Sequence, residues 1–159
     1  MTYGYSTPRD FFESVREAQR SLEAKARIIE GMERTEQSLP SGIVPQARRG
    51  EVKPNAITDL KLDKLAEWAA DIDECAEIIA SAYSVLYGKK GSGGLMALLG
   101  SQYAEVLDAR YIQLKGWEDV AALVGYSKRR CYEIRNVAFD FLEYNGLEAT
   151  AEGRIGENG

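Results

Sequence analysis

Histidine is absent from this 159-residue chain, so the side chain that most often acts as general base and metal ligand near neutral pH is missing. The two cysteines, Cys75 and Cys131, lie far apart in apolar-periodic stretches, which gives no zinc-ligand spacing and predicts two buried, reduced thiols. No cluster of nucleophile, base and oxyanion donor can be assembled from the remaining residues, so neither catalysis nor a metal or other cofactor is expected. Long apolar runs are lacking too. None reaches the ~18 residues of a membrane span, and residues 1–9 have no signal-peptide core, so a cytoplasmic chain without a membrane partner is expected. Positive charge is scarce, with 20 Lys and Arg against 25 Asp and Glu. That balance excludes a generally basic nucleic-acid coat and confines any nucleic-acid contact to a local patch. Proline occurs only at positions 8, 40, 45 and 54, which leaves the second half free to be helical.

What is present is helical periodicity. Ser6, Thr7 and Pro8 form a helix start, with a hydroxyl to cap the first amides and a proline where no amide is needed. Phe11, Val15, Ala18, Leu22, Ile29 and Met32 then recur at helical steps, with Lys25 interrupting one slot, and predict a coiled-coil-like seam to about Gln37. Over residues 38–55 the pattern stops among Pro40, Gly42, Pro45, Gly50 and Pro54, and a mobile loop carrying Arg48 and Arg49 is expected. A second helix begins near Ala56. Its columns Leu65, Ile72, Ile79, Leu86, then Trp68, Cys75, Ala82, then Leu62, Ala69, Ala76, Tyr83 adjoin one another. So wide a stripe touches more than one neighbour, including the first helix folded back on it. Residues 1–90 are thus expected to form a long antiparallel helical hairpin, suited to self-association as a homodimer and bearing an acidic face with Asp63, Glu67, Asp71, Asp73, Glu74 and Glu77.

The run GKKGSGG at 88–94 has the glycines of a phosphate loop but not its order, because the lysines precede the glycines and a helix rather than a strand comes before them. A flexible joint is the expectation there. A third helix follows from Leu95, with Leu98, Leu99, Val106 and Leu107 leading toward Arg110 and Tyr111. Gly116 then breaks the chain, Trp117 to Val124 make a short helix, Gly125 turns it, and a long helix runs from Ser127 to Tyr144 or Asn145. Residues 91–145 are expected to form a small helical domain. Residues 146–159, with four glycines and only Leu147 and Ile155 as large aliphatics, are expected to be a disordered tail.

Residues 117–136, WEDVAALVGYSKRRCYEIRN, carry the functional signal. Two helices crossing through a tight turn need a small residue at the approach, a positive-φ residue four positions later and a capping hydroxyl, and Ala121, Gly125 and Ser127 supply them. Val120, Val124, Cys131 and Ile134 line the inner faces. On the second helix Cys131, Ile134, Ala138 and Phe141 form the back. Arg129, Tyr132, Glu133 and Asn136 then point outward, flanked by Lys128, Arg130 and Arg135. Residues 127–136 hold four basic side chains against one acidic, a local excess of positive charge in an acidic chain. Arg129 suits a guanine edge, Asn136 an adenine, Glu133 a cytosine and Tyr132 a thymine methyl or the backbone, while Lys128, Arg130 and Arg135 suit phosphates, as does the helix start at Ser127.

Residues 106–142 resemble region 4 of sigma-70 family factors, through Arg110, Tyr111, Trp117, Val120, Ala121, Leu123, Gly125, Tyr126, Ser127 and Tyr132. With the preceding hairpin, the chain looks like the small sigma-factor-like regulators of phages and prophages. The resemblance implies an all-α fold, a long helical hairpin followed by a small helix-turn-helix domain of sigma region 4 or winged-helix-like kind. It also implies sequence-specific binding of double-stranded DNA and transcription regulation, with the hairpin then serving for self-association or for docking on RNA polymerase. No counterpart of sigma region 2 precedes the segment, so autonomous promoter melting is not implied. A phage DNA-packaging protein of the small-terminase type, or another helical oligomeric adaptor, joins the same kinds of element and is the alternative.

Overall fold

Thr7 opens the first helix: its hydroxyl oxygen accepts from the Asp10 amide at 3.0 Å, Pro8 follows, and α1 spans Pro8–Ser38. The structure, a computed structural model, describes residues 4–5, 7–38, 56–89 and 91–154. The expected mobile loop, beyond Ser38 itself, lies outside the described residues, as do Ser6 and residues 155–159. After α1 come α2 (Ala56–Tyr87), α3 (Leu95–Leu98), α4 (Ser101–Leu107) with a π-helical turn at Asp108–Ile112, α5 (Trp117–Val124), α6 (Lys128–Asn145) and α7 (Leu147–Glu152). Among the described residues every regular element is helical, as the all-α expectation requires. None of these helices is long and apolar enough to cross a membrane.

Two compact units divide the chain, one made of Met1–Arg20 with Cys75–Gly159 and the other of Ser21–Glu74. A boundary at residue 90, as expected from the sequence, is not observed. The reason lies in the core of the first unit. There Phe11, Phe12 and Val15 of α1 and Ala82, Val85 and Leu86 of α2 share one buried cluster with Leu107, Tyr111, Phe139 and Leu142. Phe12 sits 5.6 Å from the Tyr111 ring and 5.9 Å from the Phe139 ring. Each such buried side chain contributes about 1.5–3 kcal/mol, so the start of α1 and the end of α2 are structural parts of the unit that carries α6. A smaller cluster, Val106, Ala109, Val120, Cys131 and Ile134, ties α4, the π-helical turn, α5 and α6 together.

At Lys89 and at Gly94 the expected flexible joint is pinned instead. The Lys89 amide donates to the Ala151 carbonyl at 2.9 Å and the Gly94 amide to the Thr150 carbonyl at 2.8 Å. A Cβ on Gly93 would lie 2.3 Å from the Ala151 oxygen, so glycine is required there by close backbone approach. Over residues 146–154 the expected disordered tail is corrected by the same contact. Gly146, at φ 91°, ends α6, and α7 follows at once with Leu147, Ala149, Thr150 and Ala151 buried. The small side chains of Ala149 and Ala151 let α7 lie against the glycine segment, and the Thr150 hydroxyl donates to the Gly146 carbonyl at 2.7 Å.

In the second unit the arms of α1 and α2 run antiparallel. Lys25 pairs with Asp71 at 2.8 Å, and Lys61 with Glu36 at 3.2 Å and Glu33 at 3.6 Å. Lys25 fills its slot in the apolar seam because its stem packs there while the ammonium reaches Asp71 and lies 5.6 Å from the Trp68 ring.

Candidate nucleic-acid interface

The path from α5 to α6 follows from three residues. At the end of α5, Gly125 takes φ 80°, and its amide donates to the Ala121 carbonyl at 2.9 Å, with the Tyr126 amide reaching the same carbonyl at 3.2 Å. No Cβ would collide at Gly125, so its glycine is set by backbone conformation alone. Ser127 is extended, and its hydroxyl oxygen accepts from the Arg130 amide at 3.0 Å, which caps α6. Val120, Cys131 and Ile134 are completely buried behind the turn. Burial pushes the Cys131 thiol above its ordinary value, so it stays protonated and unreactive near neutral pH. Further along the back of α6 the buried residues are Ala138, Phe139 and Leu142, and the expected Phe141 is half-buried beside them.

Lys128, Arg129, Arg130, Glu133 and Asn136 are exposed on α6, as expected. The Arg129 side chain is 91% exposed, and its Nε lies 3.6 Å from Glu133. Arg130 reaches the other oxygen of Glu133 at 3.5 Å, and Lys128 stands 3.9 Å from Glu118 on α5. Exposed pairs of this kind are worth about 0.2–1 kcal/mol. The basic side chains are therefore released at small cost when a stronger anion approaches, and the start of α6 itself favours negative charge. The Oδ1 of exposed Asn136 accepts from the Arg135 Nε at 3.2 Å.

Tyr132 and Arg135 differ from expectation. The Tyr132 ring is half-buried 4.8 Å from the Trp117 ring, so it supports the face rather than projecting from it. Arg135 lies 5.2 Å from the Trp117 ring centroid and 5.4 Å from that of Tyr132. Its guanidinium also acts on Tyr111, whose phenol is pushed up chiefly by burial, with Arg135 opposing that shift. Arg135 is thus a held cation at the edge of the face, not a free one.

Sequence reasoning did not assign a site role to Arg110 or Trp117. The Arg110 guanidinium lies 5.0 Å from the Trp117 ring and donates to the Lys115 carbonyl at 3.2 Å, while its Nε is buried with no partner among the described residues. Arg16 donates to the Arg110 carbonyl and is held below its ordinary value by burial and then by the Arg110 charge. Arginines therefore gather around one indole, on elements separated along the chain. The sequence signal available was the order Arg110, Tyr111, Trp117, which marks aromatic and cationic residues without showing that they meet.

No protein-family model, curated protein or solved structure matches the chain.

Proposed function

We propose that this chain is a sequence-specific, double-stranded-DNA-binding transcription regulator in which α5 and α6 act as a helix-turn-helix of the sigma region 4 kind, of phage or prophage type. The observation that carries the reading is the exposed front of α6. Lys128, Arg129, Arg130, Glu133 and Asn136 stand free of the core while Cys131 and Ile134 anchor the opposite side. A rod with a basic first turn and side chains able to pair with base edges suits the major groove. Ser127 and the first amides of α6, with Lys128 and Arg130, then take phosphates, and Arg129, Glu133 and Asn136 read bases. Tyr132 and Arg135 act mainly through Trp117, by fixing the helix face. RNA polymerase is the protein partner in this reading, with the acidic row Asp63, Glu67, Asp71 and Glu74 of α2 as the contact.

The test is selection of bound fragments from random duplex DNA, followed by titration of the enriched site against salt. A recurrent motif is expected. With three to five phosphates neutralised, log affinity falls against log salt with a slope of roughly −3 to −4.5. Retention of no fragment at low salt would remove the reading.

A helical oligomeric adaptor for DNA packaging is the second reading, favoured by the exposed apolar arms of Ser21–Glu74. A closed ring of many copies in solution supports packaging, and a dimer supports regulation.

A further inference from the structure

None of the described residues of Ser21–Glu74 is buried. Leu62 is 56% exposed, Ile28 46% and Leu60 45%, and a groove between the two arms is lined by Leu22, Ala26, Ile29, Leu65 and Ile72. Two helical arms without a core of their own are not held by propensity, and a contiguous apolar face of this kind marks an interaction surface.

The order of residues on α1 identifies the occupant. Glu23, Arg27, Glu30 and Arg34 follow at steps of four, three and four, so they share one outward face of the helix, and their charges alternate in sign. An antiparallel second copy, related by a two-fold axis between Ile28 and Ile29, would set Arg27 against Glu30 of that copy and Glu23 against Arg34. The symmetry repeats both contacts in reverse, and all of them join opposite charges. Arg34 pairs with Glu30 of its own helix at 3.6 Å, with both side chains well exposed, so exchanging that partner costs little.

On α2 a separate pattern has its own centre. Leu62, Leu65, Ala69 and Ile72 form an exposed or half-exposed column that is symmetric about position 67. A two-fold axis at that level sets Leu62 against Ile72 and Leu65 against Ala69. Glu67 lies off the column and pairs with Lys64 at 3.1 Å. The two centres lie at the same level along the hairpin. Lys25 and Asp71, joined at 2.8 Å, lie about one turn to one side of them, and Glu36 and Lys61, joined at 3.2 Å, about two turns to the other. One axis therefore satisfies the charges of α1 and the apolar column of α2 together.

We propose that this face binds a second copy of the chain, giving an isologous, antiparallel four-helix bundle made from the α1 and α2 arms of each copy. The pairing covers the groove with its own image and closes at two copies. It goes beyond the DNA-binding reading and does not depend on it.

The experiment uses the full chain in solution, with mass measured by sedimentation equilibrium. At about 20 µM the chain is expected to be dimeric, since interfaces of this class commonly hold at micromolar concentration. Arg27→Glu alone places two like-charged pairs across the axis, as does Glu30→Arg alone, and each raises the dissociation constant roughly tenfold. An equimolar mixture of the two variants restores association to the unsubstituted level, because each then meets its complement. Leu65→Lys abolishes the dimer without touching those charges. The proposal is overturned if the unsubstituted chain is monomeric or forms a larger assembly, or if the mixture associates no better than either variant alone.

Discussion

The Arg135 guanidinium lies 5.2 Å from the centroid of the Trp117 ring, which joins the middle of α6 to the first residue of α5. The contact needs a flat, delocalised cation over a flat ring, and lysine reproduces the charge without the stacking geometry. Arg135→Lys is therefore expected to lower stability by about 1 kcal/mol. Chemical denaturation followed by Trp fluorescence measures it. An unchanged midpoint would show that the contact contributes nothing to holding α5 on α6.

The close approach between residues 88–94 and α7 leads to a larger effect. A methyl group on Gly93 would meet the Ala151 carbonyl, and because backbone stands on both sides neither can yield without breaking the Lys89 and Gly94 hydrogen bonds. Gly93→Ala is expected to cost more than about 2 kcal/mol, in the range of a backbone clash with lost hydrogen bonds. Truncation after Asn145 removes the same contact together with buried Leu147 and is expected to lower the melting temperature clearly. A truncated chain as stable as the full one would show that α7 is not part of the core.

Alkaline pH should weaken the fold. Burial raises the folded Tyr111 phenol above its ordinary value of 10.0, and burial followed by the hydrogen bond to Asp108 raises Tyr87 above the same value. A raised folded value means that the unfolded chain loses its protons first. The stabilisation is complete below pH 10 and is lost as the pH rises through the folded values above it. Buried Cys131 acts in the same direction above its ordinary value of 9.0. The loss begins where the unfolded tyrosines ionise, at their ordinary value of 10.0, so denaturation midpoints at about pH 8 and about pH 10.5, on either side of it, are compared. Equal midpoints would contradict the assignment.

Two neighbouring cations on α6 should act differently on DNA. Arg129→Ala is expected to cost about 1–3 kcal/mol on the selected site and little on unrelated DNA, because it removes a base contact. Lys128→Ala weakens both alike and reduces the salt slope by about 1, because it removes a phosphate contact. Gel-shift or anisotropy titrations on the two DNAs separate these outcomes, and an equal loss in both variants would refute the division of roles.

The sequence by itself determined α1, α2, α5, α6 and the turn, whereas the single third helix expected from Leu95 is broken at Gly100, which takes φ 147°, into α3 and α4. The Thr7–Pro8 start, the columns through Leu65 and Leu86, the Gly125 turn and the Ser127 cap depend on spacing and backbone preference within a few residues, so periodicity locates them. It also determined the exposed front of α6 at Arg129, Glu133 and Asn136, since the apolar Cys131 and Ile134 between them are the ones that the core takes up. Only the tertiary structure decided that α7 is ordered. The six residues from Leu147 to Glu152 carry too little apolar area to predict a buried helix, and their place exists because glycines at 88–94 admit a backbone beside them. Tertiary structure likewise decided that Phe11, Phe12 and Leu86 belong with α6, and that Tyr132 and Arg135 turn toward Trp117. Those contacts join residues far apart in the chain, and a local pattern shows which side of a helix is apolar without showing what will lie against it.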